Sequence, residues 1–251
     1  MVVIDSIIIS GNNQTKDFII LRELTLKSGD TLTTQLAQYN RERIYSLDIF
    51  NEVKLKTFKT NNRNYLLIDI EESWYIYPIP IAFLNDRDWN KISYGMAVKI
   101  KNFRGRNEEI FSRFTLGFDP SVDLAYFNPS LAKDLDLFTE FQFGYSISKN
   151  RSNNAIKLAG GDFEYNVYYG RIIFGKRFGL FHRVFLTPGF DYVESPFYIK
   201  NVSASNQRID RTVILGLNYA YDTRDLIQYA KDGIFTYAGY EFKGLGINDI
   251  N

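Results

Sequence analysis

From Trp74 onward, large apolar residues return at every second position, strand length after strand length. Only an extended strand places residues i and i+2 on one face, so this region must form a sheet. Ile92, Tyr94, Met96, Val98 and Ile100 share one face, and Ser93, Gly95, Ala97, Lys99 and Lys101 the other. The stretch "KIKNFRGRNEEIF" then turns, and Ile110, Phe114, Leu116 and Phe118 oppose Arg113, Thr115 and Gly117. Leu137, Phe141, Phe143, Tyr145 and Ile147 oppose Glu140, Gln142, Gly144 and Ser146. Val184, Leu186, Phe190 and Tyr192 continue the pattern, as do Val213, Leu215, Leu217, Tyr219 and Tyr221. Between Phe163 and Phe178 the phase slips near Gly170-Arg171, where a bulge is expected. About nine strands of membrane-spanning length, roughly 9–11 residues each, are expected.

Alternation leaves open which face meets the apolar medium. Connection lengths address this. "FRGRNEE", "SLAKD" and "FGLFHR" are short, whereas "SKNRSNNAIKLAGGD" and "ESPFYIKNVSASNQRID" are long. Outer-membrane barrels alternate short and long connections in this way, with an apolar outer band and aromatic girdles. "GFDPSVD" is short where a long loop is expected. A soluble ligand-binding barrel would instead carry its large apolar residues inside. Aromatic residues make up 16% of the chain, enough to furnish girdles. No apolar run reaches the ~18 residues of a membrane helix.

Met1 to Ser73 follows a different grammar. "VVIDSIIISGN" reads as a strand ending in a Gly-Asn turn, and "KDFIILREL" as a short helix. "KSGD" breaks the chain, and Thr31 is expected to cap a longer helix, "TLTTQLAQYNRERIYSLD". Leu32, Leu36, Tyr39, Arg43 and Leu47 recur at helical spacing, which requires Arg43 to snorkel. "FNEVKLKTF" and "NYLLIDIEES" form a hairpin across "KTNNRN". The expected order is β-α-α-β-β. The opening strand carries no signal-peptide pattern, and the chain is expected to begin inside a larger gene product.

This N-terminal region resembles a POTRA module. The resemblance rests on "IDSIIISGN", "REL.LKSGD" and "IYSLDIFNEVKLK", whose corner residues are Leu47, Phe50 and Val53. With "YGMAVKIKNFRGRNEE", "LAYFNPSL" and "YDTRD" behind it, the whole chain resembles the outer-membrane assembly factor family of the BamA/TamA type, the bacterial surface antigen barrel. The specific marks are Asn102, Phe103 and Gly105 after the second strand, and Asn128 with Pro129 closing the fourth. The implied fold is an α+β POTRA module at 1–73 and the N-terminal part of an antiparallel outer-membrane β-barrel at 74–251. Lys99, Lys101, Arg113 and Glu140 then face the lumen.

Charge is balanced, 30 basic against 29 acidic residues, which gives no electrostatic case for nucleic acid. There is no Cys and a single His, His182, placed in a turn, so thiolate and imidazole metal clusters are excluded. No enzyme motif is present. The carboxylates Asp123, Asp134, Asp136 and Glu140 read as solvated lumen and turn residues rather than an acid–base pair. The basic run "KNFRGR" reads as a charged turn, with lipid head groups or phosphate as the other reading. Tyr75, Tyr77, Tyr168, Tyr169 and Tyr198 fit interfacial belts.

The first barrel strand, "WYIYPIPIAF", carries Pro78 and Pro80 two residues apart. Both lack an N–H on the same strand edge, so with Tyr75 and Tyr77 they mark a seam that zips poorly on one side. Simple protection of an edge from aggregation explains them equally well.

The resemblance implies assembly or translocation of outer-membrane polypeptides by binding, without cofactor or nucleotide. Implied partners are unfolded outer-membrane clients, the lipid bilayer and accessory assembly proteins, with the module in the periplasm. Two departures stand against it. The family's barrel has about twice these strands, and its lumen-loop motif (Arg-Gly-Phe or similar) is absent. A short passive barrel or pore, closed by self-association, is the alternative from another class. A lipase-linked member would need a hydrolase domain upstream.

Overall fold

A computed structural model describes residues 1–132, 135–200 and 202–244. The N-terminal module comprises β1 (Val2–Val3), β2 (Ser6–Ser10), α1 (Asp17–Leu21), β3 (Thr31–Leu32), α2 (Thr34–Tyr45), β4 (Phe50–Thr60) and β5 (Arg63–Glu72). β5 lies at the centre of a three-stranded sheet, parallel to β2 and antiparallel to β4. Ile19, Ile20, Ile44, Leu66 and Ile68 are fully buried between this sheet and the helices. The turn between β4 and β5 is Asn61-Asn62, both at positive φ (47° and 62°). That is the twist a two-residue hairpin needs, and Asn tolerates it.

Two expectations are corrected here. The first strand is split, and Thr31 and Leu32 are not helical: they pair with Val2 and Val3. The helix cap is Thr33, whose Oγ1 accepts from Leu36 N at 3.2 Å. Threonines stand at 31, 33 and 34. The strand pairing of Thr31 decides between them by occupying its backbone.

The rest of the chain is one open sheet of nine strands among the described residues, each antiparallel to the next in chain order. They are β6 (Ile76–Leu84), β7 (Ile92–Phe103), β8 (Glu108–Gly117), β9 (Ser121–Ala132), β10 (Leu137–Lys149), β11 (Glu164–Phe178), β12 (His182–Glu194), β13 (Ile209–Asp222) and β14 (Phe235–Lys243). A short helix, α3 (Asn153–Ala159), sits between β10 and β11. No helix among the described residues is long and apolar enough to cross a membrane. The two edge strands, β6 and β14, do not meet.

The ladder register sorts side chains into two unlike faces. Phe174, Leu186, Leu217 and Tyr240 lie side by side in one row, all strongly exposed. Arg113, Asp123, Gly144, Tyr169, Asp191 and Thr212 form a row on the other face. A continuous exposed apolar face this wide suits a hydrocarbon environment and not water.

The expected bulge at Gly170-Arg171 does not exist. β11 pairs with β10 in one unbroken register. The apparent slip arises because Tyr168-Tyr169 and Ile172-Ile173 put large residues on both faces. Tyr169 has a use on the polar face: its ring covers Gly144, where a Cβ would collide with it, and its hydroxyl donates to Asp123 Oδ1 at 2.9 Å. The register shifts that do occur lie at Ile100/Phe103 and at Leu137/Thr139.

Strand direction defines two rims. The turns 104–107 and 179–181 and the connection 223–234 meet the module, through Gly105, Phe181 and Ile227 respectively. The long connections Ser148–Asp162 and Glu194–Asp210 lie on the opposite rim. The module-side connection 223–234 is also long, which turn-length alternation did not indicate. It folds on itself: Asp225 Oδ1 accepts from the N–H groups of Leu226, Lys231 and Asp232.

Thr33→Ala is expected to cost the module about 1 kcal/mol, the worth of a helix N-cap. Thr31→Ala should cost clearly less. Urea titration followed by circular dichroism compares the two, and equal losses would refute the assignment.

Candidate functional site

The module is held to the sheet along one rim, chiefly at three places. The first is the β7–β8 turn. Glu72, at the end of β5, accepts from Gln14 N (3.1 Å), Thr15 N (2.7 Å) and Thr15 Oγ1 (2.6 Å). The loop so fixed meets Asn102, which is 3% exposed and donates from Nδ2 to Thr15 Oγ1 at 2.8 Å. Lys16 N donates to the Gly105 carbonyl at 2.8 Å. Gly105 has φ +71°, and a Cβ there would strike the Gln14 carbonyl oxygen. Asn102 also binds within its own turn, accepting from Asn107 N at 2.9 Å. Phe103 does not join the clamp; its ring stacks under the Arg104 guanidinium, 5.4 Å away.

The basic residues of "KNFRGR" are occupied within the protein. Arg104 makes two 2.9 Å bonds to the fully buried Glu108, and Arg106 Nη2 donates to the Ser130 carbonyl at 2.9 Å. Lys101 pairs with Asp48 of the module. Asn128 accepts from Ser130 N at 3.0 Å, and the Pro129 carbonyl accepts from Arg22 Nη1 at 3.1 Å.

The second clamp is centred on Glu23, only 7% exposed. Its carboxylate accepts from Arg43 Nη2 (2.7 Å) and from Arg177 Nη1 and Nη2 of β11 (2.5 and 2.9 Å). Arg43 also donates to the Glu23 carbonyl at 3.0 Å and lies over the Phe181 ring. Arg43 therefore does not snorkel; it is buried and paired. Burial alone would raise the Glu23 pKa. The Arg177 hydrogen bond and the charges of Arg177, Arg22 and Arg43 outweigh it and hold the carboxyl below its ordinary range. The third contact is Ile227 N donating to Ser46 Oγ at 3.0 Å. Behind these contacts Phe50 and Val53 are buried in the module core, with Leu47 packed against it.

On the polar face of the sheet, Lys99 pairs with Glu109 at 2.9 Å and Arg113 with Asp123 at 2.8 Å. Glu140 accepts from Gln142 at 2.6 Å. Asp123 is thus engaged by Arg113 and Tyr169, Asp136 lies in a turn at φ 51°, and Asp134 falls outside the described residues. The described residues contain no group of His, Asp or Glu suited to hold a metal. His182 is the first residue of β12 rather than a turn residue, with Nδ1 2.8 Å from the Tyr219 hydroxyl.

The tyrosine belt is mostly not where sequence placed it. Tyr168 alone of the five sits on the apolar face. Tyr169 and Tyr77 lie on the polar face, Tyr77 under Lys101 at 5.2 Å. Tyr75 precedes β6 and packs on the module core, and Tyr198 lies in the β12–β13 connection. Adjacent tyrosines must point to opposite faces, which alternation could have signalled.

The free edge of β6 follows from hydrogen-bond parity. Lys101 N donates to Tyr75 O and Asn85 N to Lys91 O, at the two ends of the β6–β7 ladder. Hydrogen-bonded pairs alternate along an antiparallel ladder. Tyr77, Ile79, Ile81 and Phe83 therefore bond to β7. Pro78 and Pro80 turn their nitrogens to the open edge, together with the amides of Ile76, Ala82 and Leu84. Five carbonyls on that edge face only three N–H groups. β6 is also apolar on both sides: Ile79 (44% exposed) and Phe83 (46%) stand on the polar face.

Comparison with known proteins assigns the module. The family model for POTRA, "Surface antigen variable number repeat", matches residues 2–73. Residues 2–73 are a POTRA module. No curated protein sequence matches the chain. Among solved structures, BamA from Haemophilus ducreyi lacking POTRA domains 1–3 superposes with a TM-score of 0.62 at 14% identity, over 96% of this chain and 48% of that one. CdiB from Escherichia coli gives 0.50 at 10% identity, over 87% and 42%. CdiB from Acinetobacter baumannii gives 0.46 at 12% identity, over 95% and 46%. The chain spans about half the length of these structures. It has the fold of the BamA type: a POTRA module followed by a nine-stranded part of a barrel that is not closed.

Glu23→Gln removes the charge that compensates buried Arg43 and Arg177, and is expected to cost about 3–5 kcal/mol of POTRA docking. The same site sets a pH dependence. A lowered carboxyl pKa contributes stability that is complete above the unfolded value, 4.5, and is lost as pH falls through the lower folded value. Docking should therefore persist at mildly acidic pH and loosen only below the ordinary carboxylate range. Distances between spin labels on the POTRA module and on β11 should show that loosening in the wild type. The Gln variant should be loose at every pH.

Proposed function

We propose that this chain acts in outer-membrane protein assembly or polypeptide translocation, with β6 to β14 in the outer membrane and the POTRA module in the periplasm. The observation that carries this reading is the open β6 edge, whose pairing is crippled at Pro78 and Pro80. A membrane strand with an unpaired edge leaves polar backbone groups in hydrocarbon, at a cost of several kcal/mol each. Such an edge calls for a partner, and one that lacks donors binds that partner reversibly. An incoming client strand can pair there and leave again. The POTRA sheet edges support a first encounter by strand addition. The mechanism is binding alone, with no bond chemistry and no cofactor. The BamA-type fold supports this assignment.

Strand parity weighs against the second reading, a passive barrel closed by self-association. The nine strands among the described residues alternate strictly, so β6 and β14 both run from the POTRA rim to the far rim. Two copies with their modules on one side of a membrane could join only through parallel seams. A strand that pairs antiparallel with β6 must run from the far rim toward the POTRA rim.

Replacing Pro78 and Pro80 with Val restores two edge donors, each worth roughly 0.5–1.5 kcal/mol when paired. In proteoliposomes of the full-length protein this is expected to tighten the seam and slow client insertion. Insertion at the wild-type rate would leave the prolines as edge protection only. Independently, Leu215→Arg should cost about 2–4 kcal/mol in a bilayer if Leu215 lies near the midplane. Unchanged stability of that variant in liposomes would remove the membrane placement of the apolar face.

A further inference from the structure

Between the POTRA module and the polar face of the sheet lies a cavity of about 290 Å³. Five guanidinium groups line it: Arg22, Arg43, Arg177, Arg183 and Arg224. Three carboxylates share the space, and all are engaged. Glu23 serves Arg43 and Arg177. Asp222 holds Arg224 through two bonds of 2.8 and 2.7 Å. Asp225 caps backbone amides of its own loop.

Two arginines are left under-compensated. Arg22 Nε is buried, stands 3.4 Å from Glu23 Oε1, and makes no hydrogen bond. Arg183 makes no side-chain hydrogen bond or ion pair among the described residues. It lies directly across the ladder from Arg177, on the same face. Like charges directly opposite in a sheet repel. Asp222 and Glu23, the carboxylates whose fields reach Arg183, are already committed to other arginines. The remaining walls are mostly apolar, with Phe138 and Phe181 among them, and Ser46 and Asn107 add two uncharged polar groups.

We propose that this cavity binds a carboxylate carried on a polypeptide, the acidic side chain of an extended segment passing the POTRA rim. A guanidinium fork matches a carboxylate in plane and spacing. The flanking rings accept the side chain's carbon atoms, which a small hydrated ion does not supply. Arg183 is the primary contact, with Arg22 behind it. The choice of a polypeptide as carrier rests on the function proposed above; the surplus of positive charge does not.

The test is calorimetric titration of the full chain in detergent micelles. The probes are N-acetyl-Gly-Phe-Glu-Phe-Gly-amide, its Gln twin and inorganic phosphate. The Glu peptide is expected to bind at least about tenfold more tightly than the Gln twin, the scale of one charge-assisted hydrogen bond. Arg183→Ala should weaken the Glu peptide by about the same factor, and Arg183→Lys, which keeps the charge but not the fork, should recover only part of the affinity. Arg183→Gln, which keeps the side chain's length, replaces the Ala variant if that one loses its folded circular dichroism spectrum. Equal binding of the two peptides, saturation by phosphate without peptide binding, no binding at all, or indifference to Arg183 would each overturn the proposal. The titration needs no insertion activity. A chain that binds the Glu peptide but inserts no client upholds the site and sinks the function, and the reverse result does the opposite.

Discussion

In the membrane placement proposed above, the sheet answers to one constraint: a backbone amide or carbonyl in hydrocarbon must have a partner within the protein. Eight ladders meet it for the interior strands, and the apolar face can then be left bare without cost. Among the described residues the constraint is unmet at the two edges of the sheet. They differ in kind. Gly244 N donates to Val213 O, so even-numbered residues of β14 bond inward and Phe235, Tyr237, Gly239, Glu241 and Lys243 face outward, each with its N–H. The β6 edge has lost two of its five. One edge is a complete hydrogen-bonding surface and the other is mostly acceptor.

The joint between POTRA module and sheet is built on a different principle, few contacts with deeply placed charge. Glu72 orders the loop that meets Asn102 and Gly105, and Glu23 gathers arginines from both bodies. A buried carboxylate shared by several arginines adds little net stability compared with an apolar contact, but it is intolerant of misplacement. Polar contacts spread along one rim leave the module a defined position over that rim, beside the polar face of the sheet.

Much of this was legible in the order of residues. A period of two is unambiguous when one face is uniformly apolar, so the strands and their faces followed directly. The module's helices and hairpin followed from spacing and from the Asn-Asn turn. What failed did so for identifiable reasons. Thr31, Thr33 and Thr34 look alike as caps until tertiary pairing claims the first of them for β3; only Leu32, beside Thr31, hinted at a strand. The slip read at Gly170 was a local pile-up of large residues, since Tyr169 fills the space above Gly144 from the face that should be polar. Glu23 and Arg177 stand far apart in sequence and carry no motif. Their meeting could not be read from spacing, although Arg43, an apparent intruder on an apolar helix stripe, was a sign that a buried carboxylate had to exist.

The two-sided apolar character of β6 has a further consequence. In a strand with one greasy and one polar face, sliding by a single residue exchanges the faces and is prohibitively unfavourable. For β6 such a slide would trade Ile76, Pro78, Pro80 and Leu84 against Tyr77, Ile79, Ile81 and Phe83, apolar for apolar. Its register is therefore held by its ends, where Tyr75 and Asn85 bond to β7, more than by its side chains. Such a slide would also exchange the strand's two edges and turn Pro78 and Pro80 toward β7, where each would forfeit a ladder bond, so the two prolines act as a latch that keeps the strand beside the opening in its alignment.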